Sequence, residues 1–148
     1  MSALRILLTS TASDSHTWNL VFLQLLLEES GHDVTNLGAC VPDEALLSHC
    51  RELAPDLVVI STVNSHGRQD VAWVIRLIRA TPETRALPVV IGGKLGVTGP
   101  DGGVGVKQLV SAGFDDVFDS GDAIGRFLSF VGLLSRQRDR RPRSVAAR

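Results

Sequence analysis

The 148-residue chain is poor in the features that mark secreted, membrane-bound or metal-cluster proteins. It has two cysteines, Cys40 and Cys50, in neither CxxC nor zinc-ligand spacing. A chain of this length holds a core large enough to fold without a disulfide, so both thiols read as reduced. No apolar run approaches the ~20 residues that span a bilayer. The N-terminus lacks a basic start followed by a long apolar region, so a cytoplasmic protein with no membrane partner is expected. Neither charge sign dominates. The formal net charge is −1, which excludes a nucleic-acid partner recognised by bulk charge. The imbalance is local: residues 136–148 hold six Arg and one Asp. A domain over residues 1–135 followed by a basic, disordered tail is the expected division.

What remains is an ordinary globular composition, 44% apolar and 21% charged, with a strongly alternating pattern. Apolar runs of strand length stand at residues 4–9, 33–37, 57–61, 88–91 and 116–118. Helical patterns follow them at 17–30, 43–53, 69–80, 106–112 and 122–134. Gly31 follows the first helical pattern at the position a left-handed cap prefers. Pro42-Asp43 opens the second, with Asp43 as its expected cap. The run Leu57-Val58-Val59-Ile60-Ser61 has the continuous apolarity of a strand buried on both faces. Five strands alternating with five helices through short connections predict an α/β fold: a doubly wound, five-stranded parallel sheet, flavodoxin- or Rossmann-like, in the order 2-1-3-4-5.

That fold places ligands beyond the carboxyl ends of the strands, where the first and third diverge. The loops there are residues 10–16, 61–69 and 92–105. The first belongs to the stretch Thr9-Ser10-Thr11-Ala12-Ser13-Asp14-Ser15-His16-Thr17-Trp18-Asn19, which carries an acid and an imidazole two residues apart. It contains no glycine, so it is neither a P-loop nor a dinucleotide fingerprint. A flavin phosphate on its hydroxyls has only fold analogy behind it. A phospho-acceptor needs a carboxylate where the third strand ends in Ser61. A hydrolase built from Ser61, His16 and Asp14 lacks the GxSxG elbow. A metal fits better. Asp14 is close enough in sequence to accept the Nδ1–H of His16, which fixes the tautomer and makes Nε2 a stronger ligand. One imidazole does not hold a bare ion, but it supplies an axial ligand to a metal already held by a macrocycle.

Three motifs carry a resemblance to a known family. Asp14-Ser15-His16 follows the first strand, Ser61-Thr62-Val63 ends the third, and Gly92-Gly93 ends the fourth. The chain resembles the cobalamin-binding family over about residues 4 to 135, and within it the small subunit of glutamate (methylaspartate) mutase. Gly31, Asn36-Leu37-Gly38, Gly67 and Asp70 add to the likeness. The resemblance implies adenosylcobalamin bound with its benzimidazole displaced from cobalt. His16 becomes the axial cobalt ligand and Asp14 orients it. Ser13, Ser15 and Thr17 belong to the same cofactor loop. Ser61, with Thr62 and Val63, lies beside the buried base, Gly92 and Gly93 leave room for the nucleotide tail, and Lys94 follows them. Asn19 stands where the family has Gly, and Lys94 where the mutase subunit often has Asn.

The resemblance also implies a division of labour. Mutases of this type bind substrate in a (β/α)8 barrel of about 250 residues, more than this chain holds. The expectation is a cofactor-binding subunit of a heteromeric isomerase, inactive alone, with no catalytic residues of its own and a separate catalytic large subunit as partner. The alternatives are a non-catalytic cobalamin carrier or sensor, and a flavodoxin-like interaction domain that has lost the ligand.

Overall fold

The computed structural model describes residues 3–10, 18–61, 67–92, 109–118 and 123–140. The elements are β1 (Arg5–Thr9), α1 (Trp18–Glu29), β2 (Asp33–Asn36), α2 (Asp43–Leu53), β3 (Leu57–Ser61), α3 (Gly67–Ala80), β4 (Val89–Gly92), α4 (residues 109–112), β5 (Asp116–Phe118) and α5 (Ala123–Arg140). The five strands form one sheet in the order β2-β1-β3-β4-β5, with every pair parallel. This is the architecture and strand order expected from the alternating pattern.

Strand periodicity divides the core into two layers. Ile6 and Leu8 point to one face and Leu7 to the other; Leu57 and Val59 oppose Val58 and Ile60 in the same way. On one side Leu7, Val58, Ile60, Val89 and Ile91 pack with Leu46 and Leu47 of α2, Val74, Ile75 and Ile78 of α3, and Leu109. On the other, Ile6, Leu8, Leu57, Val59 and Val90 meet Leu20 and Leu27 of α1 and Phe127 and Val131 of α5. Each fully buried Leu or Ile contributes about 1.5–3 kcal/mol relative to exposure. That requirement on both faces is why β1, β3 and β4 read as continuous apolar runs.

Helix ends follow local chemistry. After α1 the chain closes in a Schellman turn. Gly31, at φ 91°, donates its N–H to Glu28 O (3.0 Å), and His32 N–H bonds Leu27 O (3.1 Å). At α2, Pro42 rather than Asp43 occupies the cap position. Asp43 becomes the first helical residue, where its charge favours the helix N-terminus.

Polar contacts cross the amino edge of the sheet. Asp56 accepts the Arg5 N–H (2.8 Å) and pairs with Arg138 of α5. Arg79 donates to Gly113 O (2.7 Å), Leu87 O (2.6 Å) and Asp115 (3.0 Å), tying α3 to the chain before β4 and β5. The Arg138 contact explains a departure from expectation. α5 runs to Arg140, past the Leu134 end read from the sequence, so residues 136–140 of the basic stretch are helical. Their partner, Asp56, lies 82 positions away in the chain and is invisible to a local charge count. Residues 141–148 lie outside the described residues. Among the described residues, no helix is long and apolar enough to cross a membrane.

Candidate functional site

The carboxyl edge is built by strand register. Thr9 of β1 pairs with Ile60, Ser61 of β3 pairs with Gly92 of β4, and Gly92 pairs with Phe118 of β5. The strand ends thus line up Ser61, Gly92 and Phe118 in a row, with Thr9 one register position short of it. Ser10 directly follows Thr9. Each is held there by the apolar residues beneath it, because a one-residue slip would turn every strand inside out.

This edge buries hydroxyls. Thr9 is wholly buried, Ser10 is 3% exposed and Ser61 is 4% exposed. Thr9 Oγ1 donates to Ser10 O (3.2 Å). Ser10 Oγ is buried and, among the described residues, has no hydrogen-bond partner. An unsatisfied buried hydroxyl costs about 1–3 kcal/mol, so its retention asks for a partner beyond the described residues.

Gly92 lets β4 and β5 approach closely at the same edge. A Cβ there would stand 3.1 Å from the carbonyl oxygen of Phe118, tighter than side chains ordinarily allow. Behind it, Phe118 packs edge-on against Phe127 (5.5 Å between centroids) and Phe130 (6.0 Å), with the Arg126 guanidinium 5.7 Å from its ring centre. At the far side of the edge, Asn36 ends β2. Its amide donates to Gln24 Oε1 of α1 (3.1 Å) and accepts from Gly38 N–H (2.8 Å), at a φ of 86° for Gly38. The Asn36-Leu37-Gly38 motif therefore ties α1 to the turn that leaves β2.

Of the residues expected at the site, the structure describes Ser61 and Gly92, and it makes them direct register partners. Ser13, Asp14, Ser15, His16, Thr17, Thr62, Val63, Gly93 and Lys94 lie outside the described residues. Ser10, placed in the edge loop by the sequence but given no role there, and Phe118 join the edge. The signal that would have singled out Ser10 is a small hydroxyl directly after a continuous apolar strand. Phe118 had no such signal, since an aromatic at a strand end reads first as core. Cys50 takes no part. It is buried among α2 core residues, and burial pushes its thiol up to about 11.

Small residues and a buried hydroxyl with no partner among the described residues suit a large ligand with polar edges lying against the strand ends. Residues 4–124 match the B12 binding domain family. The chain belongs to that family. The glutamate mutase sigma subunit of Fusobacterium nucleatum is 26% identical to this B12-binding domain over 124 residues, 84% of this chain and 90% of the relative. The HTH-type transcriptional repressor CarA of Myxococcus xanthus is 35% identical over 89 residues, 60% of this chain and 30% of the repressor. Among solved structures, a cobalamin-binding protein from Desulfitobacterium hafniense DCB-2 superposes with a TM-score of 0.69 at 23% identity. It covers 86% of this chain, which spans 58% of that one, and the likeness shows the shared fold.

Proposed function

We propose that this chain is the cobalamin-carrying small subunit of an adenosylcobalamin-dependent carbon-skeleton mutase acting on glutamate, methylaspartate or a related amino acid. It presents the cofactor to a separate catalytic chain built on a (β/α)8 barrel. The observation that carries the reading is the buried Ser10 hydroxyl, without a partner among the described residues, next to the edge formed by Ser61 and Gly92 in a B12-binding domain. The near full-length match to a glutamate mutase sigma subunit favours the mutase class.

In this reading His16 would ligate the cobalt, and Asp14 would hold its imidazole by accepting the Nδ1–H. Ser13, Ser15 and Thr17 line the same loop. Ser61 and Ser10 hydrogen-bond the buried nucleotide tail, with Thr62 and Val63 alongside. Gly92 and Gly93 would leave space for the tail, and Lys94 would reach a phosphate or amide of the cofactor. Bound adenosylcobalamin supplies the radical that starts the rearrangement. The residues of this chain bind it, fix its lower ligand and keep water from its base, and substrate contacts belong to the partner.

The test is titration with hydroxocobalamin, followed by visible and EPR spectra. The expected product is a base-off, histidine-ligated species that His16→Ala abolishes. A spectrum that stays base-on, or identical uptake by His16→Ala, overturns the assignment. A second reading, a non-catalytic cobalamin carrier or sensor, is favoured by the 35% identity to CarA. Failure of the loaded chain to sustain turnover with a mutase catalytic subunit would select it.

A further inference from the structure

A cavity of about 480 Å³ opens at the amino edge of the sheet, the end opposite Ser61 and Gly92. That volume lies within the roughly 300–1,000 Å³ of small-molecule sites. Leu4 before β1, Pro55 before β3 and Pro88 before β4 give it an apolar wall, completed by Phe130 and Leu134 of α5. The wall is braced. Two of these positions are prolines with a fixed φ, Leu4 is 1% exposed, and Phe130 packs edge-on against Phe118. The space therefore does not close by small side-chain movements.

Four polar side chains also line the cavity: Asp56, Asp115, Gln137 and Arg138. Asp56 accepts the Arg5 N–H and pairs with Arg138, and Asp115 accepts the Val89 N–H (2.7 Å) and a donor of Arg79 (3.0 Å). Among the described residues all four contacts fall on Oδ2. They fix the two carboxylates and leave Oδ1 of each as an acceptor for a ligand. Arg79 does not saturate Asp115, because it also donates to Gly113 O, Leu87 O and Arg85 O. The lining thus sets two carboxylates against one guanidinium. An anion that took over this guanidinium would leave Asp56 without its charge partner. An ammonium donates to Oδ1 of Asp115 with every existing contact kept, in a charge-assisted bond. Asp115 is also the more accessible carboxylate, at 45% side-chain exposure against 27% for Asp56.

We infer that this cavity is a second ligand site, for a small primary amine on an apolar body. Asp115 takes the ammonium, and Phe130 and Leu134 take the apolar part. The proposed cofactor role uses the opposite edge, so both sites can be filled at once.

The test titrates the isotope-labelled full chain with phenethylamine and follows the amide NMR spectrum. Phenylpropionate and phenylethanol serve as the anionic and neutral counterparts. The expected result is saturable binding of the amine with a Kd of about 1 mM or tighter, and binding of the anion at least about tenfold weaker. The largest amide shifts should fall at Asp56, Asp115, Leu134, Gln137 and Arg138. No saturation by the amine, equal binding of all three compounds, or shifts centred on Ser61 and Gly92 overturn the inference. Asp115→Asn keeps an acceptor for the Val89 N–H, removes the charge and should weaken the amine about fivefold or more. Because Asp115 also anchors Arg79, the exposed Gln137 supplies a second test that leaves the fold untouched. Gln137→Glu should tighten the amine about threefold and Gln137→Lys should weaken it by a similar factor. No change, or the reverse order, overturns the ammonium assignment.

Discussion

Ser10 sets stability against binding. Its hydroxyl is buried without a partner among the described residues, so Ser10→Ala should raise the stability of the cofactor-free chain by about 1 kcal/mol. The same change should weaken hydroxocobalamin binding by about three- to tenfold, because one hydrogen bond to the ligand is lost. Denaturant unfolding and spectroscopic titration of one variant read both signs. A loss of stability instead would mean that the hydroxyl serves the fold. His32 makes a different argument. Its buried imidazole accepts the Leu4 N–H at Nδ1 (3.0 Å), which requires that nitrogen to be unprotonated, and burial lowers its pKa from the usual 6.5. A lowered folded pKa means that the unfolded chain binds the proton more readily. The stabilisation is therefore full above about pH 6.5 and fades as the pH falls toward the folded value. His32→Asn keeps an acceptor near the Nδ1 position without titrating. Unfolding curves between pH 7.5 and pH 5 should show the native chain losing stability relative to that variant.

At the scale of elements, two positive-φ positions predict changes of opposite sign. Ala54 ends α2 at φ 46° with its side chain exposed, a conformation that penalises a Cβ. Ala54→Gly should stabilise the protein by about 0.5–1 kcal/mol. Gly113 precedes β5 at φ 134°, and a Cβ there would meet Arg79 Cγ at 2.9 Å and Ile75 Cγ1 at 3.2 Å. Arg79 is held by several carbonyls and by Asp115, so it yields poorly. Gly113→Ala should cost about 2–3 kcal/mol. Thermal unfolding of the two variants checks the pair, and equal effects would remove the backbone argument. The difference in legibility is also physical. Gly31 was readable as a cap because glycine marks the left-handed region by itself. Ala54 was not, because the strain there is tolerated only in exchange for the turn into β3.

For the whole molecule, ligand binding and stability are linked. A cofactor that binds only the folded chain adds about 2.7 kcal/mol at a free concentration one hundred times its Kd. For a chain of this size that corresponds to a rise in Tm of about 5–10 °C. Hydroxocobalamin should produce this shift in a thermal melt. A melt unmoved at saturating ligand would contradict binding at the strand ends. The match to the B12 binding domain family belongs to this scale, because it rests on the fold as a whole.

The sequence by itself determined the sheet. Strands buried on both faces must be continuous apolar runs, and β1, β3 and β4 carry that signal in adjacent residues. It also named Ser61 and Gly92, through the family motifs that stand at the ends of such runs. Three things needed the tertiary structure. The register that sets Ser61 beside Gly92 depends on two strands packing the same core from different parts of the chain. The orphaned state of Ser10 depends on what surrounds it in space. The extension of α5 to Arg140 depends on Asp56, which reaches Arg138 across the amino edge. Periodicity is local and survives in the sequence; pairing, burial and the absence of a partner are relations between distant residues, and folding alone creates them.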